Sequence, residues 1–94
     1  MKIGVLQMHL GLPGCASLKE KRGRIKPLFS HLHQEYNVSV AELGRQDAWQ
    51  DSVVGCALIC NDERVIQKTF EKIKSATQSF YTEIEVTEDH IEIL

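Results

Sequence analysis

The order in which strand-like and helix-like hydrophobic patterns follow one another constrains the fold of this chain more than any other feature. Residues 2–10, KIGVLQMHL, place apolar side chains on alternate sides, which is typical of a β-strand. From Ser17 the spacing changes to that of a helix, and Glu20 three residues later completes a capping box. The apolar positions of this helix fall on one face: Leu18, Ile25, Leu28, Phe29, Leu32 and Tyr36.

The chain then repeats the two patterns in a different order. Residues 37–44 and 52–60 predict two consecutive strands, and the second is apolar on both faces, which indicates a central strand. A second helix follows, and either Asn61 or Asp62 is suited to cap its start. Its inward positions are Ile66, Thr69, Phe70, Ile73 and Ala76.

Alternation returns in residues 81–94 and predicts a last strand, which an interruption near Glu88 and Asp89 can divide. The complete order is β-α-β-β-α-β. It predicts an α+β, ferredoxin-like βαββαβ fold, a four-stranded antiparallel sheet with two helices on one face. Because 94 residues are too few for two separate cores, we expect a single ferredoxin-like domain over residues 1–94.

This topology brings the start of the first helix and the turn at residues 45–51, RQDAWQD, to the same end of the sheet. Cations are concentrated at that helix start, and we call this set the basic corner: Lys19, Lys21, Arg22, Arg24 and Lys26. The net charge of −2 hides this, because residues 1–26 carry six cations and one anion whereas residues 81–94 carry five anions and no cation. A local interpretation of the charge is therefore needed.

Cations near a helix N-terminus oppose the partial positive charge of the helix dipole, at a cost of about 0.3–1 kcal/mol for each exposed cation in the first turn. One interpretation is that the basic corner binds an anion such as a phosphate, with Gln46 and Trp49 contributing from the facing turn. The other is that Glu42, Asp47 or Asp51 neutralises the cations and nothing binds.

Two residues of this region are locally ambiguous. Trp49 is suited either to cap the end of the core or to stack against a base. Lys21 falls within the apolar sector of its helix, so it needs a polar partner or a path past the sheet end. Gly23 and Pro27 predict either a kink or a regular helix that begins only near Lys26.

Other chemistry has little support in the sequence. Cys15, Cys56 and Cys60 are odd in number and lack CxxC spacing, so we expect reduced thiols rather than a disulfide or a zinc site. His31 and His33 lie about 200° apart around a helix and cannot share a metal. No apolar run reaches the roughly 18 residues of a membrane span. We therefore expect no metal, no cofactor, no membrane partner and a cytoplasmic location.

The segments PGCASLKEKRGRIKPL (13–28) and NVSVAELGRQDAWQ (37–50) resemble the YlxP-like family of small bacterial proteins, and the likeness extends over essentially the whole chain. The resemblance implies a ferredoxin-like fold and a gene setting among translation factors. This chain departs from the family pattern at Gly23, Arg24 and Pro27. The matching positions are Ser17, Leu18, Lys19, Lys21, Arg22, Lys26, Glu42, Asp47, Trp49 and Gln50.

The leading hypothesis is a non-catalytic module associated with RNA or the ribosome. Its predicted contact residues are Lys19, Lys21, Arg22, Arg24, Lys26, Gln46 and Trp49. The alternative is a homodimeric structural or small-ligand-sensing domain that associates through the open face of its sheet. A phosphate-ester hydrolase is less favoured. Acylphosphatases share this fold and use an arginine to hold phosphate, and Arg22 is the only residue of this chain that matches that arginine.

Overall fold

The computed structural model of the protein describes residues 1–80 and 83–94. It confirms the predicted order of elements. The strands and helices are β1 (Lys2–Gly11), α1 (Leu18–Glu35), β2 (Ser39–Gly44), β3 (Asp51–Cys60), α2 (Glu63–Phe80) and β4 (Glu85–Ile93). The sheet order is β2-β3-β1-β4, and every neighbouring pair is antiparallel. The fold is therefore α+β and ferredoxin-like, as the sequence predicts.

The core lies between the sheet and the two helices. The central strands present aligned pairs to it, with Leu6 opposite Cys56 and Met8 opposite Val54. The helices close it from above, and their fully buried side chains include Leu28, Leu32, Ile66, Phe70 and Ile73. A Cβ atom at Gly4 would overlap the Ile66 side chain, so glycine allows α2 to lie close against β1.

Both helices begin at side-chain caps. The Ser17 hydroxyl accepts a hydrogen bond from the Glu20 N–H at 3.0 Å, and α1 continues from Leu18 through Pro27 to Glu35. The alternative of a helix that begins near Lys26 is therefore wrong. In α2 the cap is Asp62, whose carboxylate accepts from the Arg64 N–H at 2.9 Å, rather than Asn61.

The last strand is continuous over Glu85–Ile93, so the interruption expected near Glu88 and Asp89 does not divide it. A β-bulge occurs there instead. His9 of β1 pairs with Glu88 while Leu10 pairs with Val86, which leaves Thr87 as the extra residue. Tyr81 and Thr82, the first two residues of the predicted strand, lie outside the described residues.

The three cysteines are free thiols, as the sequence predicts. Cys15 and Cys56 are buried, and burial raises the pKa of the Cys56 thiol to about 12. This thiol therefore stays protonated and serves as a small apolar residue of the core. Among the described residues, no helix is long and apolar enough to cross a membrane.

Candidate nucleic-acid interface at the basic corner

The β1–α1 loop and the β2–β3 turn meet at one end of the sheet, as the topology predicts. The Leu12 N–H donates to the Gln50 carbonyl at 2.9 Å, and the Gln50 side chain donates to the Cys15 carbonyl at 3.4 Å. The loop itself turns at Pro13-Gly14, where Gly14 has a φ of +70°. These contacts fix the position of the basic corner relative to the turn.

Lys21 is the residue that joins α1 to this turn. It is only 1% exposed, and its ammonium group lies 2.8 Å from the Glu42 carboxylate. The same Nζ donates to the carbonyls of Arg45 at 2.6 Å, Ala48 at 2.9 Å and Gln46 at 3.5 Å. These oxygens replace water around the buried cation, which answers how a lysine can occupy the apolar sector of the helix. Lys21 is therefore not placed to contact an external phosphate.

The carboxylate that faces Lys21 is itself held in place. Glu42 Oε2 also accepts a hydrogen bond from the buried Ser52 hydroxyl at 2.6 Å. At the end of β2, Arg45 has a φ of 61°, a left-handed conformation that is unusual for a residue other than glycine. The bond from Lys21 to the Arg45 carbonyl holds the turn at the position where its backbone is least favourable.

Arg24 makes a second set of internal contacts on the other side of α1. Its Nη1 donates to the Pro13 carbonyl at 2.7 Å, and its Nη2 donates to Glu20 at 3.1 Å. Its Nε lies 3.7 Å from the carboxylate of Glu83, just before β4. Arg24 therefore connects the β1–α1 loop, the helix start and the approach to β4, and most of its donors are already used.

Glu20 also contributes to the cap of α1, but it accepts its hydrogen bond from the residue before the cap residue. Its Oε2 accepts from the Ala16 N–H at 2.6 Å rather than from the cap residue itself. The backbone bond from Ala16, and then the Arg24 guanidinium, hold the pKa of this carboxyl below its usual value of 4.5.

Three cations of the basic corner remain outside these networks. Lys19, Arg22 and Lys26 are exposed, and they make no hydrogen bond or ion pair with any residue that the structure describes. Their spacing places them in one row along the flank of α1 that faces away from α2. We call these three residues the α1 cation row. Internal neutralisation thus applies to Lys21 and Arg24 but not to this row.

A mixed groove lies beside the α1 cation row. Its volume is about 290 Å³, and its lining residues are Leu18, Lys21, Arg22, Ile25, Glu42, Gln46 and Asp47. Gln46 donates its side-chain N–H to the Glu42 carbonyl at 3.5 Å. Because Asp47 also lines the groove, an anion is better accommodated on the outer surface of the row than deep in the groove.

Trp49 projects from the turn and is 52% exposed. It lines a shallow surface pocket of about 390 Å³ together with Asp47, Ala48, Gln50 and Asp51. About half of the surface of this residue is therefore available for contact with a ligand. Arg45, which is not among the sequence-predicted contact residues, is exposed at the same end, and its side chain has no partner among the described residues. Its place in the motif GRQDAWQ was the available signal.

The opposite surface of the molecule, which we call the open face, is the side of the sheet that the helices leave uncovered. Its β2–β3 half is apolar, with Leu43 52% and Ile59 65% exposed, and a groove of about 190 Å³ lies between Val5, Leu43 and Ala57. Its β4 edge carries Glu85, Glu88 and Glu92. Within the described residues, no three His, Cys, Asp or Glu side chains converge as metal ligands would.

The fold and the site define a small ferredoxin-like α+β protein with an exposed cation row on its first helix. Residues 3–91 match a family described as "Protein of unknown function (DUF503)". The chain is 32% identical over 85 residues to the uncharacterized protein YlxP of Bacillus subtilis (strain 168), covering 90% of this chain and 91% of that protein. The chain therefore belongs to the DUF503 family, which confirms the YlxP-like resemblance.

Among solved structures, the chain resembles the de novo designed protein Foldit4. The TM-score is 0.57 with 17% identity, over 100% of this chain and 97% of the designed one. At this identity the likeness shows the fold alone. A designed protein reaches the same fold without an evolved function, so function has to be argued from the side chains of the site.

Proposed function

We propose that this protein is a non-catalytic RNA-binding module that associates with the ribosome or its RNA in the cytoplasm. In this proposal the α1 cation row contacts backbone phosphates, and Gln46 and Trp49 lie at the margin of the site. Lys21 and Arg24, which the sequence placed among the contact residues, instead hold the surface that carries the row.

One observation carries the proposal: Lys19, Arg22 and Lys26 stay exposed without a carboxylate partner in the described part of the chain, although the helix dipole disfavours a cation at the start of α1. Two neighbouring cations, Lys21 and Arg24, show that this fold supplies partners where it needs internal ion pairs. A free row next to them is well suited to phosphate oxygens, which attract Lys and Arg in most nucleic-acid interfaces.

The test is a titration with ribosomal RNA at several salt concentrations, with Trp49 fluorescence and bound fraction as readouts. Wild-type protein should bind with a log–log salt slope of about −2, since three phosphate contacts contribute roughly −0.7 each on single-stranded segments. A Lys19→Gln/Arg22→Gln/Lys26→Gln variant should lose most of the affinity and most of the slope.

A matched control carries the same change in net charge elsewhere, as Gln7→Glu/Asn37→Glu/Ser39→Glu, on residues away from the basic corner. This control should bind RNA almost as wild type does. Equal affinity of the wild type and the α1 variant would contradict the proposal, and so would equal losses in the variant and the control.

The alternative of a homodimer through the open face stays a prediction. It is favoured by the exposed Leu43 and Ile59, because large apolar side chains on a sheet face are typical of interaction surfaces. Sedimentation at micromolar concentration checks it, with Ile59→Ser as the variant that should shift a dimer toward monomer. A wild-type protein that stays monomeric would remove this alternative.

A further inference from the structure

The chemistry of the open face changes from one edge of the sheet to the other. One row of aligned residues crosses all four strands in the order Ser39, Ala57, Val5 and Glu92. Directly opposed residues of neighbouring antiparallel strands have Cβ atoms about 4.5–5.5 Å apart. Glu92 therefore lies directly beside Val5, which lines the apolar groove together with Ala57.

A second row repeats this order of polarity. Val53 of β3 is aligned with His9 of β1, and His9 is aligned with Glu88 of β4. Nearer the sheet end, Gly11 is aligned with Glu85. Three exposed carboxylates therefore border the apolar half of the open face along β4, and we call them the acidic border: Glu85, Glu88 and Glu92. None of them forms an ion pair within the part of the chain that the structure describes.

The strands supply no lysine or arginine that could neutralise the acidic border. Lys2 is the only such residue in the four strands, and it shares the alternation of the buried Leu6 and Met8 rather than that of the open face. His9 and His90, which do lie on the open face, are counted as neutral at pH 7. Because the acidic border repels anions, this face is poorly suited to RNA or to an anionic lipid surface and well suited to a cationic partner.

The apolar half of the open face has room for a helix. Its length from Val53 to Ile59 is about 20 Å at 3.3 Å per strand residue, which about 13 residues of a helix would cover. Ile59 is exposed at one end, and Leu43 is exposed near the other. A Cβ atom at Gly55 would overlap the Leu43 side chain, so Leu43 lies across Gly55 and bounds the groove of about 190 Å³. Large exposed apolar side chains beside a groove are typical of docking surfaces.

The position of the acidic border favours a helix that lies on the face. Strands are about 4.8 Å apart, so β4 is about 10 Å from β3, within reach of a lysine or arginine on the flank of a helix that lies over β3. An extended segment added to the free edge of β2 would lie about 19 Å from β4, too far for its cations to reach the border. The open face of a second copy would provide apolar contacts but no lysine or arginine.

We propose that the open face docks a basic amphipathic helix of another protein, with the apolar side of that helix over the groove and its cations toward the acidic border. Glu88 and Glu92 are about 13 Å apart along β4, which matches basic residues about two turns, or 11 Å, apart on a helix. The open face and the α1 cation row lie on opposite sides of the sheet. Docking of the helix is therefore independent of RNA binding.

The experiment measures binding of labelled synthetic peptides to the full chain by fluorescence anisotropy at pH 7.5. The probe is a peptide of about 16 residues with leucines at helical spacing and lysines on one flank. One comparison peptide has the same composition in a scrambled order without an apolar face, and another has glutamine in place of each lysine. The probe should bind at least about tenfold more tightly than either comparison peptide, because only the probe matches both the groove and the border.

Variants of the protein locate the peptide on the open face. Ile59→Ser should weaken binding of the probe about tenfold, because an exposed apolar contact is lost. Glu88→Gln/Glu92→Gln should weaken it about fivefold and reduce its dependence on salt. The matched control, Glu35→Gln/Glu63→Gln, makes the same change in net charge on exposed residues of the helices and should leave binding unchanged.

Three outcomes would overturn the inference. One is equal affinity for the probe and its scrambled form, and another is equal loss in the acidic-border variant and its control. The third is a wild-type protein that sediments as a dimer, is dissociated by Ile59→Ser and binds the probe no better than the comparison peptides, since a second copy would then occupy the open face. None of these outcomes changes the expected RNA binding at the α1 cation row.

Discussion

The inner and outer flanks of α1 both carry lysine and arginine side chains. Those of the inner flank are bound to other residues of the protein, whereas those of the outer flank are exposed. On the inner flank, which faces the β2–β3 turn and the approach to β4, Lys21 and Arg24 are surrounded by carbonyl and carboxylate oxygens. On the outer flank, Lys19, Arg22 and Lys26 have no such partner among the described residues. A cluster of charge in a sequence is therefore not one structural feature. Part of it holds the fold, and the other part is available to a ligand.

Among substitutions in α1, Lys21→Met should reduce the free energy of unfolding the most. Methionine is similar in length but offers no donor, so three backbone carbonyls and the Glu42 carboxylate lose a partner in a buried site. Breaking a buried ion pair from one side usually costs about 3–5 kcal/mol, and we expect a value near the lower end because Glu42 keeps its bond from Ser52. Urea unfolding measures the loss.

The matched control for this variant is Lys19→Met, two residues earlier on the exposed flank. Its free energy of unfolding should stay within about 0.5 kcal/mol of wild type or rise slightly. If both methionine variants changed the free energy of unfolding equally, the distinction between the two flanks would be lost.

Arg24→Met should have the second largest effect. The guanidinium connects the Pro13 carbonyl, Glu20 and Glu83, but its surroundings are partly open to solvent. We therefore expect a loss of about 1–2 kcal/mol, in the range of hydrogen bonds to charged groups. Arg22→Met is its neighbour and control, with an expected change below about 0.5 kcal/mol. A loss for Arg22→Met as large as that for Arg24→Met would show that the outer row is also structural.

The sequence predicts the fold well and the site only in outline. Alternating apolar residues identify each strand, and helical spacing of apolar residues identifies each helix. Both patterns can be recognised because they depend on residues that are close together along the chain. The helical wheel also indicates that Lys21 needs a partner. It does not reveal which atoms serve, because the carbonyls of Arg45 and Ala48 follow more than twenty residues later and carry no side-chain signal.

Long-range pairing explains the other misses. Arg24 looks like one more cation of a basic segment, yet it contacts Glu83, 59 residues away along the chain.

A smaller effect is expected from Lys19→Glu. Replacement of a cation by a carboxylate in the first turn of α1 improves the interaction with the helix dipole, so the free energy of unfolding should rise by about 0.3–1 kcal/mol. RNA affinity should fall in the same variant, because one phosphate contact becomes repulsive. Urea unfolding and RNA titration of the same preparation measure both changes. A gain in stability without any loss of RNA affinity would contradict a binding role for Lys19.

The smallest effect is expected at Glu20, which is part of the cap at the start of α1. Hydrogen bonds from the Ala16 N–H and then from Arg24 lower the pKa of Glu20 from its usual value of 4.5, so the folded state favours the ionised carboxylate. The stability that this supplies is complete above the unfolded pKa and is lost as the pH falls through the lower, folded pKa. As the pH falls into the acid range, the urea concentration at the unfolding midpoint should therefore decrease less in Glu20→Gln than in wild type.

Asp62→Asn offers an independent comparison at the start of α2, where hydrogen bonds from the Arg64 side chain and then its backbone lower the pKa of Asp62. The two caps share no partner, so the double variant should show the sum of the two reductions in acid dependence. If the acid-side pH dependence of stability in Glu20→Gln equalled that of wild type, the hydrogen bond from the Ala16 N–H would not favour the ionised Glu20 carboxylate in the folded state. The cap would then be stabilised by the Ser17 hydroxyl. In that case Lys21, one turn after Ser17, would be the first residue of α1 to distinguish its inner flank from its outer flank.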